Sequence, residues 1–209
     1  MTNQLDEIRK EIKANPTDKT KKEDFSKLLF NEIMDQSEKG ENELAEKLLN
    51  ELIDFADENR DNSTILLYYG QAILNSMPIL FGRATQTDLK GKINHLREII
   101  AKTNNTQLED ILAMILVNSV YDFSLSRKTP SIHEFSLELM DLALKYPNRI
   151  KIQTACAKGL MNATMYFLQE EDKQAARDYF KKLLKIVEAN PKEEMVDSRR
   201  LLELKQYFG

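Results

Sequence analysis

Residues 150–191 read IKIQTACAKGLMNATMYFLQEEDKQAARDYFKKLLKIVEANP, and the fold turns on how this stretch is parsed. Leu160, Ala163, Thr164 and Phe167, then Ala176, Phe180 and Leu183, recur at intervals of three and four. That spacing lines up side chains on one face of a 3.6-residue helix, whereas a strand needs alternation. The reading is one helix over 150–169, a short polar turn, and a second helix over 173–189. Pro191 follows directly. A proline just past a helix end stops it and turns the chain.

The same unit recurs upstream. Apolar helices are predicted over 65–81 and 108–125, followed by second helices over 89–101 and 132–146. Phe25, Leu28, Leu29, Ile33 and Met34 mark a further helix, broken at Gly40, and Leu44 to Ala56 marks its partner. Leu5, Ile8 and Ile12 give a short N-terminal helix that stops before Asn15-Pro16, because the residue before a proline is pushed out of the helical region. A last helix is predicted over 193–208. Second helices therefore begin near Asn42, Asp88, Ser131 and Asp172, in steps of a little over forty residues, a loose two-helix repeat. Capping boxes are predicted at Thr20/Glu23, Thr106/Glu109 and Ser131/Glu134. In each, the hydroxyl accepts an orphan N–H and the carboxylate reaches back.

Composition agrees. The chain has only 6 Gly and 5 Pro among 209 residues, where ordinary chains carry about 12% of the two combined. An all-β fold with many tight turns is excluded on that ground. One Cys excludes an internal disulfide framework and a cysteine-based zinc site. The first ten residues are polar and carry no apolar signal core. The longest apolar run, 111–117, falls far short of the roughly 20 residues a bilayer span needs. These features lead us to expect a cytoplasmic protein that takes no cofactor and does not engage membrane. Residues 1–62 are net acidic, 63–148 neutral and 149–209 mildly basic. Such asymmetry steers association, including head-to-tail self-association into a homo-oligomer.

The unit from Ala157 to Pro191 resembles a tetratricopeptide repeat (TPR). Leu160, Ala163, Thr164, Phe167, Ala176 and Phe180 fall on that family's offsets. Leu183 stands where a small residue is usual, and Pro191 comes a few residues late. Leu66, Tyr69, Gly70 and Ile73 match the first-helix half in the second unit, and Gly40 and Ala45 match the turn and second helix in the first. The units are longer than the family's 34 residues. The resemblance implies an all-α fold of antiparallel helix hairpins stacked in a right-handed superhelix. It implies a single TPR-like domain over 1–209, with about four hairpins, an N-terminal helix and a C-terminal capping helix. Each hairpin keeps a spare apolar face that needs its neighbour.

In such an array the first helices line the concave face. Polar residues on those helices are the partner-binding candidates that the resemblance implies: Gln71, Asn75, Asn118, Asp122, Lys158 and Asn162. Lys158 and Asn162, four apart, look like part of the clamp by which some TPR domains hold a peptide carboxylate. The rest of that clamp is not present in order.

Catalytic signals are weak. His133-Glu134 starts like the HExxH metalloprotease motif, but position 137 is Leu. Glu134, Glu138 and Asp141 then read as a solvated acidic stripe. His95 reads as surface or edge packing. Cys156, between two alanines, reads as a packed thiol, since no motif supplies the base and the electropositive pocket a nucleophile needs. Isolated glycines read as turns or close helix contacts, and no phosphate-binding loop occurs. Lys181, Lys182, Lys185, Arg199 and Arg200 are interleaved with acids in a net acidic chain, against nucleic-acid binding. Met114, Met140, Met161 and Met165 read as core or as an adaptable surface. Pro78, inside an apolar helix, is expected to bend it or end it before Phe81-Gly82. The function expected is a non-enzymatic scaffold that binds a protein or peptide. Two alternatives stand beside it: a self-assembling structural protein, and an all-α small-ligand binder with a site near Pro78, Tyr69 and Tyr121.

Overall fold

The computed structural model describes residues 2–83 and 86–209, with side chains over 4–80 and 88–209. The described residues form ten α-helices and no strand. The chain divides into two compact units, residues 1–112 and 113–209.

The first unit holds α1 (Thr2–Ala14), α2 (Lys19–Glu38), α3 (Asn42–Glu58), α4 (Ser63–Arg83), α5 (Gln86–Thr103) and the first residues of α6 (Thr106–Leu125). Helix α2 packs on α1, α3 and α4, while α4 also meets α3 and α5. Leu29, Ile33, Leu49, Leu52, Ile65, Leu66 and Ile73 are fully buried there, each contributing about 1.5–3 kcal/mol by leaving water. Arg9 fastens α1 to α3 through two 2.8 Å bonds, one to each oxygen of Glu51.

The second unit holds the rest of α6 with α7 (Thr129–Lys145), α8 (Ile150–Gln169), α9 (Lys173–Ala189) and α10 (Ser198–Phe208). Helix α8 packs on both α7 and α9. Aromatic rings supply much of this core. Phe123 stacks on Phe135 with centroids 5.4 Å apart. Phe180 stacks on Phe208 at 5.1 Å and so holds α10 to α9.

The predicted helices are present, and their starts need four corrections. Asp18, not Thr20, caps α2, accepting the Lys21 N–H at 3.0 Å. Glu23 instead accepts from Asn62 Nδ2 at 2.9 Å, tying α2 to the turn before α4. Asn105 caps α6, taking the N–H groups of Gln107 and Leu108; Asn is the stronger cap than Thr. Helix α7 starts at Thr129, ahead of Ser131, because Pro130 carries a helix-ready φ into the first turn. The last helix begins at Ser198, not near 193. Met195 and Val196 are drawn into the core, so the chain is still turning there, and Asp197 caps α10 through the Arg200 N–H at 2.8 Å.

Helix α4 runs through Pro78 to Arg83 rather than ending early. The side chain of Phe81 lies outside the described residues. Gly40 in the α2–α3 turn adopts a positive φ of 76°, and Arg127 and Glu171 take the same left-handed region in the α6–α7 and α8–α9 turns, at 54° and 60°. A Cβ on Gly159 would collide with the Leu139 side chain; a bare backbone there lets α7 lie close on α8. Gly91 meets neither expectation, since it sits inside α5 with open space where a Cβ would go. Among the described residues no helix is long and apolar enough to cross a membrane.

Candidate functional site

In the second unit the C-terminal halves of α7 and α9 flank an open trough of about 480 Å³. One wall is Met140, Ala143 and Leu144 on α7. These positions share a helix face at spacings of three and four. Pro147, which stops α7 just beyond Tyr146, closes that side. The opposite wall is Lys182, Lys185, Ile186 and Ala189 on α9, with Asn190 at its end. The floor is α8, through Leu160 and Gln153.

The floor is apolar and internally satisfied. Leu160 is fully buried. Gln153 Nε2 donates to the carbonyls of Ala143 and Tyr146, at 2.7 and 3.1 Å, so it seals the α7 C-terminus rather than facing a ligand. The rim is different. The Leu144 side chain stands 77% exposed, and a large aliphatic group left in water beside a concave surface marks an interaction site better than scattered surface leucines do. Lys182 holds its ammonium 5.1 Å from the centre of the Tyr179 ring. Lys185 is exposed and has no ion pair among the described residues. No carboxylate lines the trough.

Of the methionines, Met140 lines this trough and Met114 is exposed on α6, whereas Met161 is buried and Met165 half-buried. Helix α7 carries a faint sequence signal of uncovered apolar surface, of which Leu144 reaches the trough. Leu137 and Leu144, seven apart on α7, are apolar residues in excess of what one buried helix face requires, and both are exposed.

None of the six candidate polar residues lines the trough. Gln71 and Asn75 are exposed on α4 in the first unit. Asn118 is exposed and Asp122 half-buried on α6, and Lys158 is exposed and Asn162 half-buried on α8, all four in the second unit. None of the six has a side-chain hydrogen bond or ion pair among the described residues. Burial pushes the Asp122 carboxyl above its ordinary range. Asn118 sits in an exposed stripe with Met114, Tyr121 and Leu125, at intervals of three and four.

The sequence reading missed a polar chain in the first unit. His95 Nε2 lies 2.8 Å from Asp57 Oδ2 and its Nδ1 lies 2.6 Å from the Tyr69 hydroxyl. A carboxylate only accepts, so Nε2 carries the proton, and in the neutral ring Nδ1 accepts from Tyr69. Arg60 also donates to Asp57. Burial tends to raise the Asp57 carboxyl, but the bonds from Arg60 and His95 outweigh it and hold it below its ordinary value. Burial pushes the Tyr69 hydroxyl well up, and the Tyr69 side chain is wholly enclosed. The arrangement ties α3, α4 and α5 together and gives a substrate no approach to the phenol. Cys156 is likewise enclosed, its thiol pushed up to about 12 by burial. Of the residues named for the small-ligand alternative, Tyr69 is core and Pro78 exposed in the first unit, and Tyr121 is exposed in the second. Among the described residues no three His, Cys, Asp or Glu side chains come together in a way that could hold a metal ion.

In comparisons with known proteins the chain matches no family model, no curated protein and no solved structure.

Proposed function

We propose that this chain is a non-enzymatic interaction scaffold, a TPR-like series of helix hairpins that presents the α7–α9 trough to a partner protein. The observation that carries the reading is the trough itself: an apolar floor, an exposed Leu144 and a free Lys185 on its rim. Exposed apolar surface next to concavity is costly in water and is recovered on association. The exposed stripe of Met114, Asn118, Tyr121 and Leu125, and the unpaired Lys158 and Asn162, offer further contact surface within the same unit. The reading of a scaffold rather than a catalyst draws support from Cys156 and Tyr69 being sealed in the core and from both histidines being already bonded, His95 to Asp57 and Tyr69 and His133 to Tyr179.

Parallel affinity capture tests this. The wild-type chain and a Leu144→Asp/Ile186→Asp variant are used as baits in quantitative capture, with sedimentation at low and high salt to detect self-association. A partner, or a second copy, that is retained by the wild type and lost from the variant supports the reading. Capture indifferent to the two substitutions overturns it.

A further inference from the structure

We infer that the α7–α9 trough seats one amphipathic helix of a partner protein, apolar toward Met140, Leu144 and Ile186, with carboxylates along the edge that meets Lys182 and Lys185. This rests on the partner-binding reading and gives the partner its chemistry. Three observations on the trough carry it.

The first is length. The α7 wall runs from Met140 to Pro147, about 10 Å at 1.5 Å per residue. That is two helical turns, enough for three anchors at i, i+3 or i+4, and i+7. The second is the absence of backbone partners. Both walls and the floor are helices whose N–H groups are already bonded within them, and Gln153, the polar side chain on the floor, spends its amide on Ala143 and Tyr146. An extended peptide laid against Met140 and Leu144 would gain no backbone bond from the trough and leave its N–H and C=O groups to water, whereas a helix satisfies them internally. The third is charge. The only ionisable groups in the lining are two lysines, both on α9, so an acidic edge is attracted and a basic one repelled. A small amphiphile fits less well, because Leu144, Pro147, Lys185 and Ala189 stand exposed, while a compact ligand needs most of its surface enclosed.

A display selection of random 16-residue peptides against the full chain tests this, with enriched sequences measured by fluorescence anisotropy. The inference expects apolar residues at helical spacing flanked by Asp or Glu. Affinity then falls about 30-fold or more in Leu144→Asp, as at an interface anchor, falls about tenfold in Lys182→Glu/Lys185→Glu, and weakens with salt. Both variants alter half-buried or exposed positions, and circular dichroism verifies their folding. Enriched peptides that lose affinity in Leu144→Asp but carry no acidic residues, or bind as non-helical chains, overturn this inference and leave the trough as a partner site. Sodium laurate that saturates the trough at concentrations where no peptide binds, with loss in Leu144→Asp, overturns it in favour of a small amphiphile. No enrichment, or binding indifferent to Leu144→Asp, overturns the partner reading as well.

Discussion

His95 and His133 each turn Nδ1 toward a buried tyrosine hydroxyl, at 2.6 Å from Tyr69 and 2.7 Å from Tyr179. Beyond that bond they differ. In the first unit the other ring nitrogen of His95 meets Asp57, which Arg60 also holds, so the tie ends in charge. In the second unit the His133 ring lies against Phe167, with centroids 4.8 Å apart, and Phe167 in turn stacks on Tyr179 at 5.4 Å with the planes 4° apart. Helices α3, α4 and α5 are cross-tied by a hydrogen-bond chain that ends in charge, while α7, α8 and α9 add stacked ring faces to their hydrogen bonds. The ionic habit extends to the edge of the first unit. A cleft there is lined by Arg9, Lys13, Glu51, Asp54 and Glu58 together with Ile12, Phe25 and Phe55, and Arg9 and Glu51 already satisfy each other. The second unit's trough has apolar walls and two lysines without an ion pair among the described residues, Lys182 resting over the Tyr179 ring. The cleft mixes charges of both signs, whereas the trough carries lysines alone, so the trough favours a partner of one charge.

Cutting the aromatic tie should have the largest effect. Phe167→Ala is expected to cost about 3–5 kcal/mol, the usual range for emptying a buried phenylalanine site, read from the urea midpoint. A loss below about 1 kcal/mol would show that ring stacking does not hold the second unit. Next comes the polar tie. Tyr69→Phe removes the donor to His95 Nδ1 and is expected to cost about 1–2 kcal/mol. Tyr179→Phe should cost less, because no carboxylate extends the His133 bond; equal losses would erase the contrast between the two histidines.

The turns give a third pair. Gly40→Ala forces a side chain into the left-handed region and should lose about 1 kcal/mol. Glu171→Gly, at a φ of 60°, relieves the same strain and should gain up to about 1 kcal/mol. Thermal melts of the two variants moving in the same direction would contradict the backbone argument.

Two carboxylates give the smallest and most diagnostic effect. The folded-state pKa of Asp57 lies below its unfolded value, so its stabilisation is complete above the unfolded pKa and is lost as pH falls through the folded one. That of Asp122 is raised by burial, so its ionisation penalises the fold at neutral pH, and the penalty disappears as pH falls below the raised value. Asp57→Asn should therefore destabilise at pH 7 and flatten the acid limb of the stability curve. Asp122→Asn should stabilise at pH 7, with the gain shrinking on acidification. Denaturant midpoints between pH 3 and pH 7 decide both signs.

The ten helices were largely legible because their causes are local. The apolar spacing, the prolines at 16, 147 and 191, and Gly40 act within a turn or two of where they stand. Caps were harder, because Thr20, Thr106 and Ser131 each had a better competitor one or two residues away, in Asp18, Asn105 and Pro130. The last helix start moved because Met195 and Val196 answered to the core rather than to helical spacing. The histidine ties span 26, 38 and 46 residues, and nothing in local spacing announces a hydrogen bond of that reach. The trough belongs to the same class. Periodicity marks Leu144 and Ile186 as apolar helix-face residues, but only the placement of α7, α8 and α9 decides which apolar side chains are covered and which stay in water. Burial depends on what stands across from a residue, and that is set by the packing of distant segments.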